Sequence, residues 1–390
     1  MGKNLILTVI VLAQFFCTSL WFAGNGVMPD IIKTLQLAPG ALANLTSAVQ
    51  FGFITGTFIF ALLAIADRFS PSRVFFTSAV IAGLINLVVI MPGIHFSGLL
   101  LSRFLTGFFL AGIYPVGMKI AADHFHDKLG KSLGFLVGAL VLGTAFPHLL
   151  KGLSGTLPWR YVIFFTSTLS VLGGLCILLF IADGPYRKPG QGLKVSAFLT
   201  GFSVPDFRAA AFGYFGHMWE LYTFWTFVPV MLAMYNKRYP AALLNVSAIS
   251  FLVIAGGSLA CVLSGLLSQK YEAKKMAGLA LCLSGLCCLL SPFFLLNPSP
   301  EVLLCFLFFW GLMVIADSPL FSTIVAHTAP QQIRGTSLTI VNCVGFSITI
   351  ISIQLINFLS RVFDGRYIYV VLALGPILGL IALFKKPHLL

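Results

Sequence analysis

The chain has 390 residues, of which 58% are hydrophobic and only 9% are charged. Soluble domains carry about 25% charged residues, so this composition excludes a water-soluble surface over most of the chain. The formal charge of +13 resides in short Lys and Arg clusters between apolar runs, unlike the continuous basic face that binds nucleic acid. We therefore expect a lipid bilayer, and no nucleic acid, around this protein.

Twelve apolar runs follow one another along the chain. A helix needs about 20 mostly apolar residues to cross a hydrocarbon core about 30 Å thick. The first run is too long for the core of a signal peptide, so we expect it to be retained as a helix. The sequence thus predicts an all-α membrane protein with twelve transmembrane helices. The runs lie at residues 5–27, 43–65, 74–92, 98–121, 132–150, 161–182, 208–234, 243–267, 276–296, 302–326, 336–359 and 367–384.

A segment rich in Gly and Pro at residues 183–206 separates the first six runs from the last six. Segments of this composition are typical of domain boundaries. We therefore predict an N-terminal six-helix half at residues 1–182, a cytoplasmic linker at 183–206 and a C-terminal six-helix half at 207–390.

A weak internal repeat supports two pseudo-symmetric halves. Tyr114 and Pro115 in the fourth run match Ser318 and Pro319 in the tenth run, at an offset of about two hundred residues. Two similar halves around an axis normal to the membrane are typical of transporters that alternate access to a central site.

The basic residues are divided unevenly between the two sides of the predicted membrane domain. An even number of helices places both termini on one side, and the loops of that side carry most of the Lys and Arg. Because cytoplasmic loops are enriched in these residues, both termini and the linker are predicted to be cytoplasmic. The opposite side carries Lys33, Lys151, Arg160, Lys237, Arg238, Arg361 and Arg366.

Charged side chains inside the predicted spans are candidates for function, because each costs at least ~2.5 kcal/mol at the centre of a membrane helix. Glu220 lies about 13 residues into the seventh run, or roughly 20 Å along it. A carboxyl group removed from water at that depth can exchange a proton near neutral pH. We predict that Glu220 is a proton-coupling residue; the alternative is a glutamate that only fixes helix packing.

Two further residues are candidates for proton coupling. His217 lies three residues before Glu220 on the same helical face, either as a hydrogen-bonded packing residue or as a proton partner of Glu220 or a substrate contact. Asp317 precedes Ser318 and Pro319 in the tenth run. Because proline frees a backbone carbonyl and loosens a helix, Asp317 is either part of a cytoplasmic gate or a coupling carboxylate.

Four residues are predicted to bind substrate. Arg103 keeps its charge at any ordinary pH and presents a planar fork of donors to an anion; the alternatives are that it influences a nearby acid or pairs with a group near the helix start. Asn25, Tyr222 and Trp225 lie in predicted spans and are expected to line a central cavity.

The loop with Asp67, Arg68 and Arg73 resembles the signature of the major facilitator superfamily, which lies between its second and third helices. Leu63 stands where that signature begins with glycine. The resemblance implies a gating role for these three residues. We expect Asp67 to contact the cytoplasmic start of the eleventh helix near Arg334, where free N–H groups attract a carboxylate.

Arg103, followed by Gly107, resembles the second motif of the same family, and the resemblance covers all twelve runs. A narrower resemblance concerns a bacterial group labelled nitrate/nitrite- or cyanate-permease-like, a label that does not assign a substrate. The segments that carry it are residues 20–25 (LWFAGN), 216–222 (GHMWELY) and 334–338 (RGTSL).

These observations favour a secondary active transporter that moves a small anionic or zwitterionic solute by alternating access, coupled to protons. The alternatives are a drug or siderophore exporter and, in another class, a non-transporting membrane sensor or assembly partner. No nucleotide-binding, hydrolase or metalloprotease motif occurs, so neither an enzyme nor a cofactor or metal site is predicted. The expected location is the bacterial inner membrane, and the resemblance implies a monomer.

Overall fold

The structure is a computed structural model that describes residues 2–38, 40–125, 129–153, 158–187, 201–268, 270–329 and 334–385. The chain forms two compact units: unit 1 comprises Met1–Gly192 and Ser247–Ser258, and unit 2 comprises Leu193–Val246 and Leu259–Leu390. The predicted linker falls largely on residues 188–200, which lie outside the described part. The division of the chain at residues 183–206 therefore stays a prediction.

Every regular element among the described residues is a helix. The first part of the chain forms α1 (Lys3–Thr18), α2 (Met28–Leu35), α3 (Ala41–Leu62), α4 (Ile65–Arg68), α5 (Pro71–Leu87), α6 (Phe96–Leu110), α7 (Tyr114–His124), α8 (Leu129–Leu153) and α9 (Trp159–Phe180). The second part forms α10 (Pro205–Arg238), α11 (Val246–Leu267), α12 (Ala273–Leu295), α13 (Pro300–Ala316), α14 (Ser318–Thr328), α15 (Arg334–Val362) and α16 (Leu374–Phe384). Short 3₁₀ helices cover Asn25–Val27, Val88–Ile90, Pro240–Ala242 and Ile368–Ala373.

All twelve predicted runs coincide with helical segments, which confirms the all-α membrane fold. Two shorter apolar segments, Asn4–Thr18 and Ile368–Phe384, correspond to the first and twelfth runs. The seventh run is α10, a helix of 34 residues that carries His217 and Glu220. In the described part, nine helical segments are long and apolar enough to cross a membrane: Ala41–Leu62, Pro71–Ile90, Phe96–His124, Ser132–Leu153, Trp159–Phe180, Val246–Leu267, Ala273–Leu295, Pro300–Thr328 and Gly335–Val362.

Three of the predicted runs are interrupted. The first, predicted as continuous over residues 5–27, leaves the α-helix after Thr18 and passes through turns at residues 19–24. The fourth is interrupted at residues 111–113 and the tenth at Asp317. Pro115 and Pro319 occupy the first turn of the helix that follows these last two breaks. Proline lacks an N–H group, so it begins a helix readily but does not continue one.

Glycines allow the closest helix crossings within each unit. In unit 1, a Cβ atom on Gly52 would lie 1.8 Å from the carbonyl oxygen of Phe104, and one on Gly107 would lie 2.0 Å from that of Val49. These two approaches join α3 to α6 without a side chain between the backbones. In unit 2, Gly216 of α10 and Gly375 of α16 approach each other in the same manner.

Candidate functional site

Glu220 lies fully buried in the middle of α10, between α12 and α13 of unit 2. Nε1 of Trp310 donates a hydrogen bond to Oε1 of Glu220 at 2.5 Å, and Oγ of Ser284 donates one to Oε2 at 2.9 Å. Within the described residues, no Lys, Arg or His lies within ion-pair distance of this carboxyl group. Glu220 is therefore held by two neutral donors, and its carboxyl group has no positive charge beside it.

His217 lies one turn before Glu220, but its partner is Asp317. Nδ1 of His217 lies 2.7 Å from Oδ1 of Asp317, and both side chains are buried. Asp317 stands at the break between α13 and α14, where its carbonyl oxygen accepts the N–H of Phe321. The structure thus gives His217 a carboxylate partner on another helix, not the contact with Glu220 that the sequence suggested as one alternative.

Arg103 is buried in unit 1, and its guanidinium group binds the interrupted first span. Nη2 donates to the carbonyl oxygens of Leu20 at 3.1 Å and Trp21 at 2.6 Å, while Nη1 donates to Oδ1 of Asn86 at 3.0 Å. The turns at residues 19–24 free these carbonyl groups from the α-helical pattern, so they need other donors. Arg103 therefore stabilises the break that follows α1.

Asn86 extends this cluster from α5 to α9. Its Nδ2 donates to Oγ of Ser167 at 2.9 Å, while its Oδ1 accepts from Arg103. One buried arginine thus connects the first, third, fourth and sixth predicted spans. The predicted role of Arg103 in substrate binding stays a prediction. In that role, a substrate could bind only the N–H donors of Arg103 that are not used in these three hydrogen bonds.

Asn25, Tyr222 and Trp225 are all buried, as residues lining the interior of a membrane protein are. Nδ2 of Asn25 donates to Oγ1 of Thr46 at 2.9 Å in unit 1. In unit 2, the rings of Tyr222 and Trp225 lie 5.3 Å apart, centre to centre, in an edge-to-face arrangement. Their predicted role in substrate binding is not tested by these contacts.

Asp67 pairs with a residue of its own unit. Nζ of Lys119, in the middle of α7, lies 2.9 Å from Oδ1 of Asp67 and 3.8 Å from Oδ1 of Asp123. Arg68 and Arg73 are exposed and form no ion pair with the described carboxylates. The side chain of Arg334 lies outside the described part, as does any contact of Asp67 with it. The gating role of these four residues stays a prediction.

Several residues of these clusters escaped the sequence analysis. Trp310 and Ser284 bind Glu220, and Asn86 binds Arg103. None of these three stands out in an apolar sequence, because Trp, Ser and Asn also serve as ordinary contacts between membrane helices. Among the described residues, no group of three or more His, Cys, Asp or Glu is arranged to hold a metal ion.

Comparisons with known proteins agree with this architecture. Residues 10–353 match the family model described as Major Facilitator Superfamily. Among solved structures, the human organic anion transporter MFSD10 (TETRAN) matches with a TM-score of 0.73 and 15% sequence identity, over 98% of this chain and 100% of that chain. No curated protein matches this sequence. The family model covers most of the chain and its apolar helices are numerous, so this chain belongs to the Major Facilitator Superfamily and is a multi-pass membrane transporter.

Proposed function

We propose that this transporter moves a small anionic or zwitterionic solute by alternating access, and that protons bound at Glu220 and at the His217–Asp317 pair drive the movement. The observation that most directly supports this proposal is the environment of Glu220. A carboxyl group with two neutral donors and no neighbouring cation is costly to keep charged in the membrane interior. Gaining and losing a proton there changes the energy of the surrounding helices, as coupling requires.

The His217–Asp317 pair supports the same proposal. Asp317 lies where α13 ends and α14 begins. A change in the charge of its side chain therefore affects the junction of two helices and not the middle of a continuous helix. A carboxylate that binds a protonated His217 is more stable than one left unpaired in the interior. Protonation of Asp317 removes this attraction and so favours a different arrangement of the break, which links proton binding to a change of conformation.

The charge of the cargo is proposed from Arg103. An arginine has five N–H donors, and three of them bind Leu20, Trp21 and Asn86. Nε lies beside Gly24, where a Cβ atom would make an ordinary van der Waals contact with it at 3.8 Å. We propose that the donors not used in these three bonds bind an anionic group of a small solute. The solved relative is named an organic anion transporter, but at 15% identity that likeness carries the fold alone.

The orientation and location are also proposals. The excess of basic residues on the side of the termini supports cytoplasmic termini. We also propose that the protein lies in a bacterial inner membrane, and that it acts as a monomer and not as an enzyme. The narrower likeness to nitrate- or cyanate-permease-like proteins receives no support from the comparisons, so we propose no specificity for nitrate or cyanate.

The proposal is tested with purified protein in liposomes that contain a pH-sensitive dye. A panel of small carboxylates, sulfonates and amino acids is added outside, and proton movement is recorded with and without an imposed pH gradient. We expect at least one solute to move protons in the wild type and Glu220→Gln to abolish this movement. The matched control is Glu272→Gln, an exposed glutamate of the same unit, which should behave as the wild type. Solute uptake that is unchanged in Glu220→Gln and indifferent to the gradient would refute proton coupling at this residue.

A further inference from the structure

A cavity of about 320 Å³ opens at the end of unit 2 where α10 terminates. Lys237, Arg238 and Arg366 line it, together with Asp364, and the side chains of Met231 and Met234 form part of its apolar wall. Three basic residues and one acidic residue give the cavity a positive character.

Asp364 forms an ion pair with only one of the three basic residues, Arg366. Its carboxylate binds the guanidinium group of Arg366 through two atoms, and this pairing lowers the pKa of Asp364 to about 2, so it is ionised at neutral pH. Lys237 and Arg238 are exposed and form no ion pair with a carboxylate of the described residues. The guanidinium group of Arg238 donates to Oη of Tyr239 at 3.2 Å and lies over its ring, but neither Lys237 nor Arg238 has a described carboxylate within ion-pair distance, so both charges can act on an external anion.

An apolar groove of about 450 Å³ lies in the same unit. Leu289, Leu359, Leu374 and Ile377 line it, and Leu374 is 49% exposed although it is apolar. Exposed apolar side chains on membrane helices contact lipid chains, so this groove fits an acyl chain.

One short segment contributes to both features. Between α15 and the 3₁₀ helix Ile368–Ala373, the side chains of Asp364 and Arg366 line the cavity, while those of Phe363 and Tyr367 line the groove. An apolar groove and a positively charged cavity are thus adjacent along the chain. This is the combination that a lipid with an anionic headgroup needs: charge complementarity for the phosphate and apolar surface for the chain.

The position of the basic residues also calls for an explanation. Lys237, Arg238 and Arg366 are three of the few basic residues on the side predicted to face away from the cytoplasm, where Lys and Arg are disfavoured. A bound anion would account for a cluster of them at one place.

We propose that the cavity and the groove together bind one anionic phospholipid, with its phosphate at Lys237 and Arg238 and an acyl chain along the groove. This site is separate from the clusters around Glu220 and Arg103, and it does not depend on the proposed transport cycle.

The test compares lipid retention by the purified full-length protein in native mass spectrometry. Dioleoyl phosphatidylglycerol and dioleoyl phosphatidylcholine are offered at equal concentrations, so that only headgroup charge differs. We expect about a tenfold preference for phosphatidylglycerol in the wild type, and its loss in the double variant Lys237→Gln, Arg238→Gln. The matched control is Lys274→Gln, Lys275→Gln, which removes the same charge from the other end of unit 2 and should keep the preference.

The groove is tested by Ile377→Trp, which fills it and leaves every charge in place. We expect this variant to bind both lipids more weakly, and its unfolding transition in detergent should match that of the wild type. Equal binding of the two lipids by the wild type would overturn the proposal, as would loss of the preference in the control pair. If millimolar inorganic phosphate displaces the lipid fully while Ile377→Trp has no effect, the cavity is a site for free anions and the lipid proposal is wrong.

Discussion

Nδ1 of His217 lies 2.7 Å from Oδ1 of Asp317, so a histidine within one continuous helix is paired with an aspartate at the break of another. Both side chains are buried, and neither can exchange this partner for water without a change in the surrounding helices. The pair therefore fixes α10 against the junction of α13 and α14.

We expect the two residues to be coupled energetically. Asp317→Asn or His217→Gln alone leaves one buried polar group with a poor partner, and each should lower the free energy of unfolding by about 3 kcal/mol. The loss of unfolding free energy in the double variant should be smaller than the sum of the two single losses, and the difference should exceed about 1 kcal/mol. Reversible unfolding in mixed micelles measures all three values. Strictly additive losses would show that the pair is not coupled in solution.

Arg103 gives a second prediction, because the bonds it makes to Leu20, Trp21 and Asn86 require a planar fork of donors. A lysine keeps the charge but cannot reach these three acceptors in the same geometry. Arg103→Lys should therefore lower the free energy of unfolding by about 2 kcal/mol, within the range for hydrogen bonds of charged groups.

The control for Arg103→Lys is Arg73→Lys, an exposed arginine with no ion pair in the described part of unit 1. It should leave the unfolding midpoint within error of the wild type. If Arg103→Lys instead leaves stability unchanged and only weakens solute binding, the arginine serves the solute and does not stabilise the break after α1.

The helical spans could be predicted from the sequence because the length of an apolar run is a direct consequence of the bilayer thickness. The breaks at residues 19–24 and 111–113 could not be predicted in this way, since the sequence remains apolar across them. Such breaks depend on distant partners, and the guanidinium of Arg103 binds the first of them from another helix.

The candidate site could be predicted in part for a similar reason. Glu220 is recognisable because a charge at membrane depth is costly whatever its surroundings. Its partners Trp310 and Ser284 lie 90 and 64 residues away, and no sequence spacing indicates that they meet. Likewise, helical periodicity placed His217 next to Glu220 on one face, but the tertiary structure directs the imidazole towards Asp317.

A third prediction concerns the ion pair between Lys119 and Asp67. Both side chains are about one quarter exposed, so Asp67→Asn should change the free energy of unfolding by less than about 1 kcal/mol. If Asp67 belongs to the gate, the same substitution should slow transport severalfold in liposomes. The matched control is Asp30→Asn, which removes a similar pair with Lys151 elsewhere in unit 1. Equal transport rates for the two variants would argue against a gating role for Asp67.

The last prediction concerns the glycines at which α3 and α6 cross. A methyl group on Gly52 would meet the carbonyl oxygen of Phe104 at 1.8 Å, and a backbone atom cannot turn aside as a side chain does. Gly52→Ala must therefore push the two helices apart, at a cost of about 3 kcal/mol or more, the upper range for overpacking. Gly335→Ala is the control, because nothing lies within 4 Å of its Cβ position and alanine favours the helix. Detergent-solubilised Gly52→Ala should thus unfold at a lower temperature than the wild type, while Gly335→Ala should not. Equal unfolding midpoints for Gly52→Ala and the wild type would mean that α3 and α6 do not cross closely enough for the added methyl group to meet the backbone.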